Sequence, residues 1–310
     1  MQMLFTIKNM LRLLTVAVIF STSTSFTNFK KRLCASERNV TMNVTYKVSV
    51  NGHLNRFRLV MAIPATIKNR QTINDIDFSP YPDSIYSKNG NSFAVFKVYD
   101  MDESFKINMK CSMTIYKQID SVNQYNDSAF AKYLAPEKFI ESDKPEIIKV
   151  AATLKQKSDI ETVMKTFFYV QDNITYKKKA AIGAEAVLEE GVGKCMDFSD
   201  LFVALLRANK IPAKSVFGAV VENEGGTPGY HAWPEAYLKK QGWILFDPTS
   251  GHSEIYMDGN NFKMRISNKY IVLFEGRNEE ETHLSRFRYS CNFTSGSEIK
   301  VKESYDISPE

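Results

Sequence analysis

The chain has 310 residues, 44% apolar and 24% charged, with a net charge of +5 from 40 basic and 35 acidic residues. At roughly 150 residues per domain this length suggests two domains, and the apolar content excludes a disordered chain. The weak basicity comes without an Arg-rich block or aromatic-basic stripe, which argues against nucleic-acid binding. The 14 Gly and 10 Pro exclude a collagen-like chain, and four Cys are too few for a disulfide-built scaffold.

At the N-terminus, Lys8 and Arg12 flank an apolar run from Leu13 to Phe20 that turns small and polar at Ser21 to Ser25. Positive charge, a short apolar core and then small residues form a secretory signal pattern, so residues 1–25 are expected to direct export to a periplasmic or extracellular space. The run is too short to span a bilayer, which takes about 20 residues, and nothing later resembles a membrane span. Lys31, Arg32 and Leu33 before Cys34 make it a poor lipid-attachment site. Export would place Cys34, Cys111, Cys195 and Cys291 in an oxidising space. A Cys111–Cys291 disulfide and buried free thiols are both open readings.

Residues 38–122 read as a small β-sandwich. Val44, Tyr46, Val48 and Val50, then Phe93, Val95, Lys97 and Tyr99, alternate with period two, and Asn51-Gly52, Ser79-Pro80 and Asn89-Gly90 mark turns. Helices follow in 123–254. Pro145 opens one, and Ser158 with Glu161 forms the capping box of the next, whose stripe is Ile160, Val163, Met164, Phe167 and Phe168. A third should start near Cys195 and bury Phe198, Leu201, Phe202, Leu205 and Leu206. Strands are expected at Lys214–Glu222, Tyr230–Leu238 and Trp243–Phe246. The last segment, 255–310, holds further strands, including Tyr270–Phe274 and Phe287–Phe293, which could return to the sandwich.

Three segments carry chemistry. In Gly193-Lys194-Cys195-Met196-Asp197, the thiol falls at the first turn of a helix, where positive potential favours a thiolate. Taken alone, a Cys on an apolar helix face reads as a small core residue. In His231-Ala232-Trp233-Pro234-Glu235, the imidazole lies on one strand face. In Trp243-Ile244-Leu245-Phe246-Asp247-Pro248, a carboxylate ends an apolar strand. A thiol nucleophile needs a base, and the base needs a carboxylate to fix its tautomer. A tight hairpin centred on Lys240-Gln241 would place His231 and Asp247 on opposite faces, so a bulge, with Pro234 as its natural place, or an odd-length loop is required.

These segments, with Ile174-Thr175-Tyr176 and the run Leu205 to Lys214, resemble the transglutaminase-like cysteine-enzyme superfamily over roughly residues 145–252. The resemblance implies an α+β chain with a papain-like core, helices packed on an antiparallel sheet, preceded by the β-sandwich. It implies Cys195 as nucleophile, His231 as general base and then acid, and Asp247 orienting His231. Asn209-Lys210 and Lys214 depart from the usual Ala-Gly and Arg, a change expected to affect only packing. Both tryptophans, Trp233 and Trp243, follow the Cys, whereas the oxyanion-stabilising indole of animal transglutaminases precedes it. Oxyanion or substrate binding is therefore expected of the Cys195 N–H, Tyr176 and Trp233. This departure weighs against transamidation and not against hydrolysis.

No HExxH, paired CxxC or EF-hand loop is present, so no metal or cofactor is expected. His252, Lys177 to Lys179 and Glu279 to Glu281 read as surface. The expected function is an exported cysteine peptidase or amidase acting on a protein or peptide substrate, with a cell-wall component or glycoprotein as candidates. The alternatives are a protein-glutamine transamidase and a non-catalytic peptide- or glycan-binding protein. Removal of Asn-linked glycans has only family analogy behind it.

Overall fold

Val40, Met42, Val44, Tyr46 and Val48 alternate along β1 (Glu37–Asn51) and are sealed from solvent. One such face must be covered by another layer. In the computed structural model of the chain the described residues are 37–117, 130–177, 182–221, 228–258, 261–264, 267–277, 281–282 and 285–310. The signal-like segment 1–25, Cys34, Lys178, Lys179, Glu222, Glu279 and Glu280 lie outside them.

The layers are two four-stranded antiparallel sheets. β2 (Leu54–Ile63), β3 (Gln71–Ser79), β4 (Ser84–Lys88), β5 (Asn91–Met101) and β6 (Phe105–Tyr116) follow β1 in the chain. β16 (Phe287–Phe293) and β17 (Glu298–Pro309) come from the far end, giving sheet orders β17-β1-β6-β3 and β16-β2-β5-β4. On β6, Ile107, Met109, Cys111, Met113 and Ile115 repeat the period-two burial of β1. Phe93 and Val95 of β5 enter the core, whereas Lys97 and Tyr99, expected on the same face, are exposed.

Between the two parts of the sandwich lie α1 (Ala131–Leu134), α2 (Pro145–Leu154), α3 (Asp159–Asn173), β7 (Thr175–Tyr176), α4 (Ala184–Glu190), β8 (Val192–Gly193) and α5 (Cys195–Ala208). Pro145 stands in the first turn of α2, and the capping box of α3 is formed, Ser158 N–H donating to Glu161 at 3.1 Å. Phe168 is half exposed, because a stripe at i and i+8 drifts off a 3.6-residue helix face. The sequence reading missed α4. Its seven residues bury only Ala184 and Val187, too few for a periodic signal.

A five-stranded antiparallel sheet completes the core in the order β12-β11-β10-β9-β15. Its strands are β9 (Ala213–Val220), β10 (Gly229–Leu238), β11 (Gly242–Asp247), β12 (His252–Ser253) and β15 (Tyr270–Glu275), with a small hairpin, β13 (Ile255–Asp258) and β14 (Asn261–Met264), between the last two. Helix α5 is buried on every side, Leu201 to Leu206 having no exposed surface. The sheet covers one side, through Ala213, Ala236, Ile244 and Phe246, and the helices cover the others. An apolar helix buried all round belongs at the centre of a fold, and each such Leu or Phe contributes about 1.5–3 kcal/mol.

The C-terminal segment serves both layers. β16 pairs with β2 and β17 with β1, but Tyr270–Glu275 joins the five-stranded sheet beside β9. Ala219, Val221, Ile271, Leu273 and Phe274 belong to the same buried cluster as the sandwich. Two buried amides stitch the join. Gln71 exchanges hydrogen bonds with the Val272 backbone at 2.8 and 2.9 Å, and Asn91 with that of Glu275 at 2.9 Å each. Among the described residues no helix is long and apolar enough to cross a membrane.

Candidate active site

Helix α5 begins at Cys195, after a turn made at Gly193 and Lys194. The Asp197 carboxylate folds back to accept the Lys194 N–H at 2.8 Å. A Cβ on Gly193 would come within 2.9 Å of Asp197 Cβ, so the turn closes only over glycine. The thiol thus sits at the positive end of a buried helix, partly open to solvent. Strand β7 pairs in parallel with β8, setting Tyr176 beside Gly193. Tyr176 is half exposed, and its phenol is pushed up by burial and by the negative charges of Cys195 and Asp197.

His231 comes from β10 and Asp247 from the end of β11. The ladder pairs Leu238 with Gly242, Tyr237 with Trp243 and Glu235 with Leu245, so the turn holds three residues, Lys239 to Gln241. Gly242 closes it at φ +80°, a conformation open to glycine. Relative to a two-residue turn, every partner moves by one, which carries Asp247 to the face of His231. An odd-length loop thus supplies the geometry. Pro234 pairs in regular register with Ser215 and carries no bulge.

His231 Nε2 lies 2.8 Å from Asp247 Oδ2, which leaves Nδ1 for the hydrogen bond with Cys195. Burial would lower the imidazole, but the bonds and charges of Asp247 and Cys195 outweigh it and carry it up to about 10. Burial would raise the Asp247 carboxyl, yet His231 and Ser250, through its hydroxyl and its N–H at 3.2 Å from Oδ1, hold it below the ordinary carboxylate range. Tyr270 of β15 also donates to Asp247 Oδ2, at 3.2 Å. The arrangement is a thiol, an imidazolium and a carboxylate in line, able to hold a thiolate and shuttle one proton.

Residues 148–248 match the family model of the transglutaminase-like superfamily. The chain carries a transglutaminase-like core. A solved structure of a candidate cysteine protease from Cytophaga hutchinsonii has the same fold, with a TM-score of 0.63 at 17% identity, covering 88% of this chain and 92% of that one. The periplasmic domain of TgpA from Pseudomonas aeruginosa is more distant, with a TM-score of 0.41 at 16% identity over 67% of this chain and 88% of that one. The uncharacterized protein YebA of Bacillus subtilis (strain 168) is 27% identical over 242 residues, 67% of this chain. The chain spans about a third of the length of that curated relative, 31%.

Within the transglutaminase-like core, Trp233 does not stand where the sequence reading expected it. It is fully buried, and its indole N–H goes to Glu235 Oε1 at 3.3 Å, which leaves neither surface nor donor for a substrate. It packs beneath the site instead, its ring 6.3 Å from His231 and 4.9 Å, edge-on, from Tyr270. Gly218 makes room for it: a Cβ there would lie 2.8 Å from Trp233 Cη2 and 1.8 Å from the Ile271 carbonyl oxygen. Period two placed Trp233 on the face of His231, but it does not tell what covers that face.

Lys214 does more than pack. It lies mostly buried between Glu235, at 3.6 Å, and Glu275, and Glu235 also pairs with Arg70 of the sandwich. Burial would raise Glu235, but Arg70 and Lys214 hold it low. These residues line a cavity of about 220 Å³ at the junction with the sandwich, and none of Cys195, His231 and Asp247 lines it.

Cys111 and Cys291 are both free, so the disulfide between them is not formed. They lie on β6 and β16, in opposite sheets of the sandwich. Burial pushes the Cys111 thiol up to about 12 and raises that of Cys291. His252, read as surface, is half-buried with its ring 5.8 Å from Tyr270. Asp200 was also missed. It is fully buried, binds Arg277 Nε at 2.8 Å and Ser215 at 3.3 Å, and is pushed by burial up to about 7. It ties the segment after β15 to α5. Among the described residues no cluster of His, Cys, Asp and Glu is placed to hold a metal ion.

Proposed function

We propose that this chain is an exported cysteine enzyme that hydrolyses amide or isopeptide bonds in a protein or peptide. The observation that carries the reading is the hydrogen-bonded line from Cys195 through His231 to Asp247 at a helix N-terminus. The thiolate attacks the carbonyl carbon, forming a C–S bond and an oxyanion that faces the first-turn N–H of α5. As the C–N bond breaks, imidazolium His231 gives its proton to the leaving amine. The thioester remains on Cys195. Water then attacks it, His231 takes the water's proton, and the thiolate leaves as the carboxylic acid forms. Asp247 stays ionised throughout and stabilises the imidazolium.

Tyr176 is the proposed substrate-side residue, since it is exposed and lies beside the thiol, whereas both indoles are committed to packing. That commitment supports hydrolysis over amine transfer. Export rests on the sequence of residues 1–25. The test is a peptide library incubated with purified protein and with Cys195→Ala, in the presence of a labelled primary amine. The proposal expects new carboxyl termini or Gln deamidation that require Cys195. Incorporation of the labelled amine in place of hydrolysis would make the protein a transamidase. Peptide binding without turnover in both proteins would make it a binding protein.

A further inference from the structure

We propose that Tyr270 is a positioning residue of this site, fixing the Asp247 carboxylate that in turn fixes His231; the inference rests on the cysteine-enzyme reading above. Four donors converge on the carboxylate, the Ser250 hydroxyl among them. His231 Nε2–H and the Tyr270 O–H share Oδ2, at 2.8 and 3.2 Å, and the Ser250 N–H holds Oδ1 at 3.2 Å. Ser250 holds the carboxylate from its own loop, through its N–H on Oδ1 and its hydroxyl, which leaves Oδ2 with His231 and Tyr270 as its hydrogen-bonded partners from the sheet. A donor on Oδ2 from a second direction opposes rotation about the Cβ–Cγ bond and keeps the lone pair aimed at the imidazole.

Tyr270 is itself held rigidly. It is buried, so water does not compete for its hydroxyl. Its ring stands edge-on to Trp233 at 4.9 Å and stacks on His252 at 5.8 Å. Its backbone is opposite Val220 of β9, and two residues on, Gln71 of the sandwich clamps Val272 from both sides. Burial and the Asp247 charge push the phenol up, so it remains a donor throughout the working range. The match to the transglutaminase-like family model stops at residue 248, so the site takes this group from a strand beyond the matched region.

The other titratable groups facing Asp247 and Tyr270 are His231, Cys195, His252 and the buried Glu254. Tyr270→Phe removes the hydroxyl and keeps the ring that packs on Trp233 and His252. Its readouts are the pH profile of Cys195 alkylation by iodoacetamide and the His231 Nε2–H proton resonance. Loss of the positioned carboxylate is expected to slow alkylation at neutral pH about tenfold, move the alkaline limb to lower pH and shift the Nε2–H resonance upfield, with the thermal midpoint nearly unchanged. In an Asp247→Asn background the same substitution should have no further effect, because Tyr270 acts through Asp247.

An unchanged profile and resonance, or a limb moved to higher pH, would overturn the positioning role; the latter would mean that the phenol only draws charge from the carboxylate. Slow, His231-independent alkylation of the unsubstituted protein would instead count against the cysteine-enzyme reading. The Nε2–H resonance of Tyr270→Phe would then still decide whether the phenol positions Asp247.

Discussion

His231 and Asp247 share one face of neighbouring strands because the turn joining those strands holds three residues and ends on a glycine with positive φ. The relationship is set by two constraints at once. Gly242 permits the turn, and Ile244 and Phe246 hold β11 in register by burying their side chains against α5. Replacing Gly242 with Val should therefore cost stability through left-handed strain, about 1–2 kcal/mol, without changing which face Asp247 occupies. Urea unfolding checks the first part, and Cys195 alkylation in the folded protein checks the second. Unchanged stability would contradict the role given to Gly242, and loss of alkylation would show that the turn alone sets the register.

The imidazole gives the site a defined pH dependence. His231 rises from the ordinary histidine value near 6.5 in the unfolded chain to about 10 in the folded one. A raised value means that the folded protein binds the proton more tightly. The stabilisation is thus complete below about pH 6.5 and is lost as the pH rises to about 10. Asp247→Asn removes the main partner of the imidazolium. The stability difference between the two proteins should be large at pH 6 and shrink steadily toward pH 10, as measured by urea unfolding at fixed ionic strength. A difference that grows with pH would contradict this account.

The charges packed at the sandwich junction predict a stability defect away from Cys195, His231 and Asp247. Glu235→Leu leaves Arg70 and Lys214 without their shared carboxylate, and breaking a buried ion pair typically costs about 3–5 kcal/mol. Replacing Lys214, Glu235 and Arg70 together by apolar residues of similar volume should recover most of that loss. The check is a comparison of unfolding midpoints for the single and triple variants. A single substitution within about 0.5 kcal/mol of the parent protein would show that the cluster is held by water instead.

What could be read from the sequence was local. The Ser158 and Glu161 capping box, the first-turn Pro145, the helix starting at Cys195 and the alternation along β1 each lie within one or two turns or a single strand, where spacing alone decides the structure. The three segments that carry Cys195, His231 and Asp247 were readable for the same reason. What escaped depends on partners distant in sequence. Trp233 was placed on the correct face, but its burial is set by Gly218 and Tyr270. Lys214 was taken for packing because Arg70, Glu235 and Glu275 meet only in three dimensions. Tyr270 looks like any tyrosine at the start of a strand until β15 is paired with β9.

The most direct test of the account is iodoacetamide labelling of the purified protein at pH 6, with each cysteine mapped by mass. An ordinary thiol, with a pKa near 8.5, is scarcely ionised there. The account predicts rapid labelling of Cys195 against slow labelling of Cys111 and Cys291, and a fall of at least about tenfold at Cys195 in His231→Ala. Labelling of Cys195 as slow as that of the sandwich cysteines, and unmoved by the His231 substitution, would contradict an activated nucleophile and favour the reading as a binding protein.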